Sequence, residues 1–225
     1  MPEKPTFSKP ESTEDLVHLY DYVYQESADS LPCSSQERDL APYGSHTDRD
    51  RSHISMISKM TNWKDPSQYS VIDASCGRGH LLKNLIDLGY KAEGTEVSKY
   101  LMENDLKDLP VREATYDNIA EVCGEDSFDI VITNDVLEHL VDEAMVRRAL
   151  RNLCKVSKKW LCLTIGIGEH CFAEKYPIAL GLEMKGLHTF RREGEWWKRL
   201  LGEYLQEVNV GARRARIGSF YGKIK

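Results

Sequence analysis

No stretch of this chain stays apolar for long enough to span a bilayer, which leaves nothing for a membrane partner to hold. Its start, Met1-Pro2-Glu3-Lys4-Pro5, has no apolar h-region, so no signal peptide is expected. Closely paired cysteines are missing too. Cys33, Cys76, Cys123, Cys154, Cys162 and Cys171 include no C-x-x-C, which speaks against a zinc site and against a disulfide framework. Reduced thiols in a cytoplasm suit this usage, and a cytoplasmic location is expected. An excess of positive charge is also lacking. Thirty Lys and Arg against 36 Asp and Glu give a formal net charge of −6, which disfavours nucleic acid as a default partner without excluding a local basic path. Arg213, Arg214 and Arg216 form the only dense basic cluster, and a solvated turn accounts for them. There is no internal repeat, and 225 residues suffice for one domain with embellishments.

What the chain does contain is organised around Val71-Ile72-Asp73-Ala74-Ser75-Cys76-Gly77-Arg78-Gly79-His80-Leu81-Leu82. An apolar run ends in a carboxylate, crosses a small-residue loop and becomes amphipathic, with Leu81, Leu82, Leu85, Ile86 and Leu88 at helical spacing. This predicts strand, tight turn, helix. Gly77 and Gly79 permit the sharp turn and leave no side chain between backbone and ligand. The helix then aims unpaired N–H groups and its positive dipole end into the gap. A second strand, Lys91 to Thr95, ends on Glu96, 23 residues after Asp73. A doubly wound sheet places there an acid that accepts from ribose hydroxyls. A dinucleotide fold would want a third glycine, where Leu82 stands, so an NAD-dependent dehydrogenase is the weaker reading.

Asp-x-Ser-x-Gly-x-Gly at Asp73–Gly79 resembles motif I of the class I S-adenosylmethionine (SAM)-dependent methyltransferases, with Ser75 in place of the first glycine. Gly94-Thr95-Glu96-Val97-Ser98 resembles their second motif. Ser127 to Leu140, with Asn134-Asp135-Val136-Leu137-Glu138-His139, resembles their fourth strand and following loop. The resemblance covers roughly residues 50 to 224 and implies a Rossmann-like α/β fold. Its sheet would have seven mostly parallel strands, the last antiparallel, with helices on both faces. SAM would be the cofactor. Residues 1–50 would be an N-terminal extension with a helix and a lid, and residues 51–225 the methyltransferase domain.

Residue by residue, the resemblance implies that Asp73 accepts from the cofactor's ammonium. Backbone through Ser75, Cys76, Gly77 and Gly79 would line its methionine part, and Glu96 would bind the ribose. Glu113 and Ala114 would lie at the adenine, while Asn134 and Asp135 would approach the sulfonium and methyl. By likeness to the ubiquinone-biosynthesis methyltransferases, Arg51 would hold the methionine carboxylate. A general base is needed only for a hydroxyl or a protonated amine. His139, His170, His188 and Asp135 are the candidates. Asp135-x-x-Glu138-His139 also partly resembles the metal-binding Glu-x-x-Glu-His of small-RNA 2′-O-methyltransferases, with His170 or His188 as the downstream histidine. Leu-Glu-His-Leu occurs equally in methyltransferases without metal, and no metal is assigned.

Other segments carry less. Ser12-x-x-Asp15 precedes the apolar face Leu16, Leu19, Tyr20, Val23 and Tyr24, predicting a helix to about Glu26. Further helices are expected at Tyr100–Lys107, Ile119–Val122, Asp142–Lys155 and Arg191–Tyr204, and late strands at Trp160–Ile165, Leu205–Val210 and Ala215–Lys223. Residues 27–50 and 166–190 have no period and supply material for a lid and an acceptor pocket. Asn134-Asp135-Val136-Leu137 lacks the Pro-Pro-aromatic turn of nucleobase amine methyltransferases. The expected acceptor is therefore a small molecule, methylated at oxygen or at a nitrogen outside a nucleobase. RNA or protein substrates and a non-catalytic partner subunit are the alternatives, and the sequence does not set the oligomeric state.

Overall fold

The computed structural model describes residues 9–30, 47–62, 64–168, 187–211 and 217–225. Seven strands are β1 (Ser70–Ala74), β2 (Lys91–Glu96), β3 (Val111–Glu113), β4 (Phe128–Asn134), β5 (Ser157–Gly166), β6 (Asn209–Val210) and β7 (Ile217–Lys223). They form one sheet in the order β3-β2-β1-β4-β5-β7-β6. The pairs among β1 to β5 are parallel, and β7 runs antiparallel to both β5 and β6. This is the expected mostly parallel sheet with its last strand reversed. The helices are α1 (Thr13–Ser30), α2 (Thr47–Met60), α3 (His80–Asp87), α4 (Lys99–Glu103), α5 (Ile119–Cys123), α6 (Glu143–Val156) and α7 (Gly194–Leu201). None among the described residues is long and apolar enough to cross a membrane.

Side chains alternate across a strand, so a sheet covered on both faces needs apolar residues at consecutive positions. The central strands meet that demand. Val71, Ile130, Ile132 and Cys162 pack with Met56 and Ile57 of α2 and Leu81, Leu82 and Leu85 of α3. Their sequence neighbours Ile72, Val131, Leu161 and Leu163 face the other way, onto Ile119, Val146, Leu150, Leu153 and Trp197 from α5, α6 and α7. In α6 the inward residues Met145, Val146, Ala149, Leu150 and Leu153 form one stripe. Its first turn is capped by Asp142, whose side chain accepts from the Met145 N–H at 2.8 Å. Trp197 is fully buried, edge-on to Trp196 and Phe190, so it serves the core rather than stacking on a ligand.

Several boundaries differ from expectation. Ser12 and Asp15 do cap α1 reciprocally, Ser12 Oγ accepting from Asp15 N at 3.1 Å and Asp15 Oδ2 from Ser12 N at 3.0 Å. That helix runs on to Ser30. α4 stops at Glu103 because the Asn104 N–H reaches both Tyr100 and Leu101 carbonyls, closing the last turn early. α7 starts only at Gly194, since Glu193 is extended (φ −70°, ψ 154°). β6 shrinks to Asn209–Val210, with Leu205 reduced to an isolated bridge to Ile224.

Because β1 sends its chain to one side through β2 and β3, while β4 and β5 lie on the other, a crevice opens at the carboxyl ends of β1 and β4. Asp73, the Ser75–Gly79 loop, Glu96, Glu113, Asn134 and Asp135 all fall at or beyond the carboxyl ends of their strands.

Candidate functional site

The loop after β1 is built from left-handed backbone. Ser75 (φ +65°), Gly77 (+54°) and Gly79 (+73°) all have positive φ. The resemblance puts a glycine at the first of these, and the structure gives the reason, since left-handed backbone disfavours any Cβ. Gly79 is the N-cap of α3 and makes no side-chain cap bond, so the helix's first N–H groups stay available to a ligand. A Cβ on Gly77 would lie 3.1 Å from the Tyr24 hydroxyl, and one on Gly79 would lie 2.7 Å from Leu109 and 2.8 Å from Leu106. The cradle is therefore narrow and glycine-dependent at two points.

Glu96 ends β2 and is buried. Its carboxylate accepts from the N–H groups of Gly77 (2.8 Å), Val97 (2.8 Å) and Ser98 (3.0 Å). One acid thus ties the glycine loop to the next strand while its remaining lone pairs can take a ribose. Burial pushes its pKa up, against the pull of those three N–H donors. Asp73, also buried, lies at the β1 rim. Burial, then the charges of Asp73 and Glu96, push the Cys76 thiol well up, so it is a neutral wall rather than a nucleophile. Glu113 is exposed at the end of β3, in register with Glu96, and Ala114 beside it is buried.

At the end of β4, Asn134 is half-buried in register with Thr164, and Asp135 has φ +52° with its N–H donating to the Thr164 carbonyl at 2.8 Å. Such a backbone holds strain where the strand must turn away from the rim. The following turn buries Glu138 and His139 completely or nearly so. Glu138 Oε1 accepts from the Gly166 N–H at 2.6 Å, across to β5. His139 Nδ1 is 2.9 Å from the Leu187 carbonyl, which can only accept; a proton on Nδ1 donates to it and places the ring's lone pair on Nε2. The Tyr20 hydroxyl touches the same Nδ1. The His188 ring meets the His139 ring edge-on at 4.4 Å. Of the four catalytic candidates, the structure gathers His139, His188 and Asp135 around one rim. His170 and the side chain of Arg51 lie outside the described residues.

Some members of this constellation escaped sequence reasoning. Tyr20, read only as part of an apolar face, reaches His139, and Tyr24 covers Gly77. Asp21 Oδ1 accepts from Ser98 Oγ (2.7 Å) and Tyr100 N (2.9 Å). Three consecutive contacts on one side of α1 therefore lay that helix across the loop, the β2 turn and the β4 turn. Their only sequence signal is the i, i+1, i+4 spacing of Tyr20, Asp21 and Tyr24. His53, buried in α2, sits with Nε2 2.8 Å from Thr164 Oγ1 beneath the same rim, and nothing in the sequence marked it.

Comparison with known proteins agrees with this geometry. No curated protein matches the chain by sequence. Among solved structures, magnesium protoporphyrin IX methyltransferase (ChlM) from Synechocystis PCC 6803 with bound SAM is similar, with TM-score 0.64 at 14% identity over 97% of this chain and 100% of that one. Another is Burkholderia thailandensis 1,6-didemethyltoxoflavin-N1-methyltransferase with bound 1,6-didemethyltoxoflavin and S-adenosylhomocysteine, with TM-score 0.63 at 13% identity over 99% and 93%. PH0226 from Pyrococcus horikoshii OT3 has TM-score 0.63 at 12% identity over 81% and 94%. Identities this low establish a common fold and nothing finer. A methyltransferase-domain profile matches residues 45–198, more than half of the chain. With the glycine cradle and its acid on the switch-point rim, the chain belongs to the methyltransferase-domain family and is a class I SAM-dependent enzyme.

Proposed function

We propose that this enzyme methylates an oxygen, or a nitrogen outside a nucleobase, on a small-molecule acceptor. The observation that carries the reading is one rim holding two kinds of chemistry. A glycine cradle with its acid lies at the ends of β1 and β2, and a Glu138–His139–His188 group, buried but for His188, lies beyond β4 and β5. SAM, when bound, supplies an electrophilic methyl on sulfur. The chain's own work is to hold and orient the reactants in line. Asp73 would accept from the ammonium, the backbone from Ser75 to Gly79 would line the methionine part, and Arg51 would pair with its carboxylate. Glu96 would take the ribose hydroxyls, Glu113 and Ala114 would flank the adenine, and Asn134 and Asp135 would face the transferring methyl. His139, with its Nε2 lone pair directed away from Leu187, would receive the acceptor's proton, with His188 or His170 as the other candidate bases.

Residues 1–50 would act as the lid, with α1 lying across the rim. The contacts of Tyr20, Asp21 and Tyr24 support that reading, because they touch the two halves of the rim at once. The division drawn at residue 50 falls within α2. A small acceptor is also supported by the Burkholderia structure, which holds 1,6-didemethyltoxoflavin. The net charge of −6 and the absence of a Pro-Pro-aromatic turn after β4 count against a nucleic-acid substrate. Arg213, Arg214 and Arg216 lie outside the described residues. A cytoplasmic setting remains the expectation from cysteine usage.

The test is turnover of methyl-labelled SAM by the full chain against a panel of small hydroxyl and amine compounds, with RNA and protein as parallel acceptors. Label in a small molecule is the expected result. Label passing only to RNA or protein would overturn the small-molecule reading.

A further inference from the structure

Three residues from two separated segments converge beyond β5. Glu138 and His139 come from the turn after β4, and His188 comes from the irregular stretch before α7. Each offers one ligand atom, and these atoms all lie within 4.8 Å of one another. Among the described residues this is the one such group of His, Cys, Asp and Glu. It is buried, unlike the surface acidic clusters that arise by chance: Glu138 is fully buried, His139 is 4% exposed and His188 is half-buried.

We propose that Glu138, His139 and His188 bind a divalent transition-metal ion that holds the acceptor's oxygen. An ion about 2.0–2.2 Å from nitrogen and oxygen ligands spans donor pairs up to roughly 4.2 Å apart. His188, the least buried of the three, would have to turn its ring slightly to bring the outermost pairs within that span. The surroundings already do what a metal site requires of its outer ring. With its proton on Nδ1, His139 donates to the Leu187 carbonyl 2.9 Å away, which orients the ring and leaves Nε2 as the nitrogen to hold the ion. The Gly166 N–H holds Glu138 Oε1 at 2.6 Å and so orients that carboxylate. Gly166 is itself informative. A Cβ there would lie 2.7 Å from His188 Cε1, 2.9 Å from His188 Nδ1 and 2.8 Å from Glu138 Oε1, so the strand's end stays bare where the ligands meet.

Two imidazoles and one carboxylate suit zinc, cobalt or manganese and not magnesium or calcium, which seek all-oxygen shells. Three protein ligands leave positions open. An acceptor hydroxyl that takes one has its pKa lowered by the ion. Held on the ion, His139 and His188 no longer serve as the base, so the acceptor's O–H proton leaves to solvent, and the oxygen's lone pair forms the new bond to carbon as the carbon–sulfur bond breaks. This deepens the methyl-transfer reading and rests on it. It specifies a hydroxyl acceptor.

The experiment is titration of the full chain with CoCl2, ZnCl2 and MgCl2. Calorimetry and the visible absorption of cobalt report metal binding, and S-adenosylhomocysteine (SAH) affinity is measured on the same samples. One cobalt or zinc ion per chain is expected, with no comparable magnesium binding. Loss of an outer-ring partner alone costs about 10–100-fold, so His188→Ala should weaken cobalt at least about 100-fold while SAH affinity holds. Gly166→Ala should weaken cobalt without removing any ligand. SAH binding without cobalt binding would overturn the metal site and leave the methyl-transfer reading standing. So would cobalt binding unchanged by His188→Ala. Cobalt binding that depends on His188 in a chain that does not bind SAH would support the site and defeat its place in methyl transfer.

Discussion

Replacing Glu96 by glutamine keeps the side chain's volume and removes one of its two acceptor oxygens. The carboxylate now takes three backbone N–H groups, two of them, from Val97 and Ser98, on Oε1 and the third, from Gly77, on Oε2. A glutamine oxygen kept on the double contact would turn its NH2 toward the Gly77 N–H, donor against donor. Leaving one buried donor unsatisfied costs about 1–3 kcal/mol. Relief from burying a charge offsets part of this, as the raised pKa of Glu96 implies. The net loss is about 1–2 kcal/mol, which for a chain of this size lowers Tm by roughly 2–8 °C. The raised pKa also fixes a direction. Ionisation is easier in the unfolded chain, so the contribution of Glu96 to stability is full below the unfolded carboxylate pKa and falls as pH rises through the folded value. Glu96→Gln should therefore lose that part of the pH dependence. Thermal unfolding followed by circular dichroism from pH 4 to 8 reads both effects. A Glu96→Gln protein with wild-type Tm at every pH would refute the tie between acid and glycine loop.

Gly79→Ala would add a Cβ at φ +73°, 2.7 Å from Leu109 and 2.8 Å from Leu106, and should cost about 1–3 kcal/mol in denaturant unfolding; no change would mean that the loop relaxes freely. Asp129 is lowered in pKa because the Ser70 N–H, Lys159 and the Ser70 hydroxyl outweigh its burial. Its contribution is present above the unfolded carboxylate pKa and lost as pH falls through the lower folded one, so Asp129→Asn should flatten the acid limb of a stability–pH curve. Asp21→Ala removes the acceptor for Ser98 Oγ and Tyr100 N and should speed amide exchange in α1 before any other helix. Uniform exchange throughout the chain would argue against α1 as a separately opening lid.

Much of the sheet was legible because its signals are local. The β-branched run from Asp129 to Thr133 can sit only between two covered faces, and the small residues from Asp73 to Gly79 mark a tight turn by themselves, although Thr95 and Glu96 hold it in place. Ser75 shows the limit of motif matching, since it departs from the family pattern yet adopts the left-handed backbone the pattern exists to provide. What stayed hidden depends on distant partners. Tyr20 and His139 are 119 positions apart, and Asp21 and Ser98 are 77 apart, so periodicity could mark α1 as amphipathic but not say which rim its polar residues touch. The sequence left His170 and His188 equal as downstream histidines. Only the chain's return past β5 sets His188 against Glu138 and Gly166. Helix ends were misjudged where a single residue's backbone decided them, as at Asn104 and Glu193.

Calorimetric titration of the full chain with SAH and, separately, with NAD tests the central claim most directly. Saturable binding of SAH is predicted, with little heat from NAD. Glu96→Ala removes the acceptor for ribose hydroxyls and should weaken SAH by about 1–3 kcal/mol, or roughly 5–150-fold. Tighter binding of NAD than of SAH, or SAH affinity unchanged by Glu96→Ala, would contradict the account.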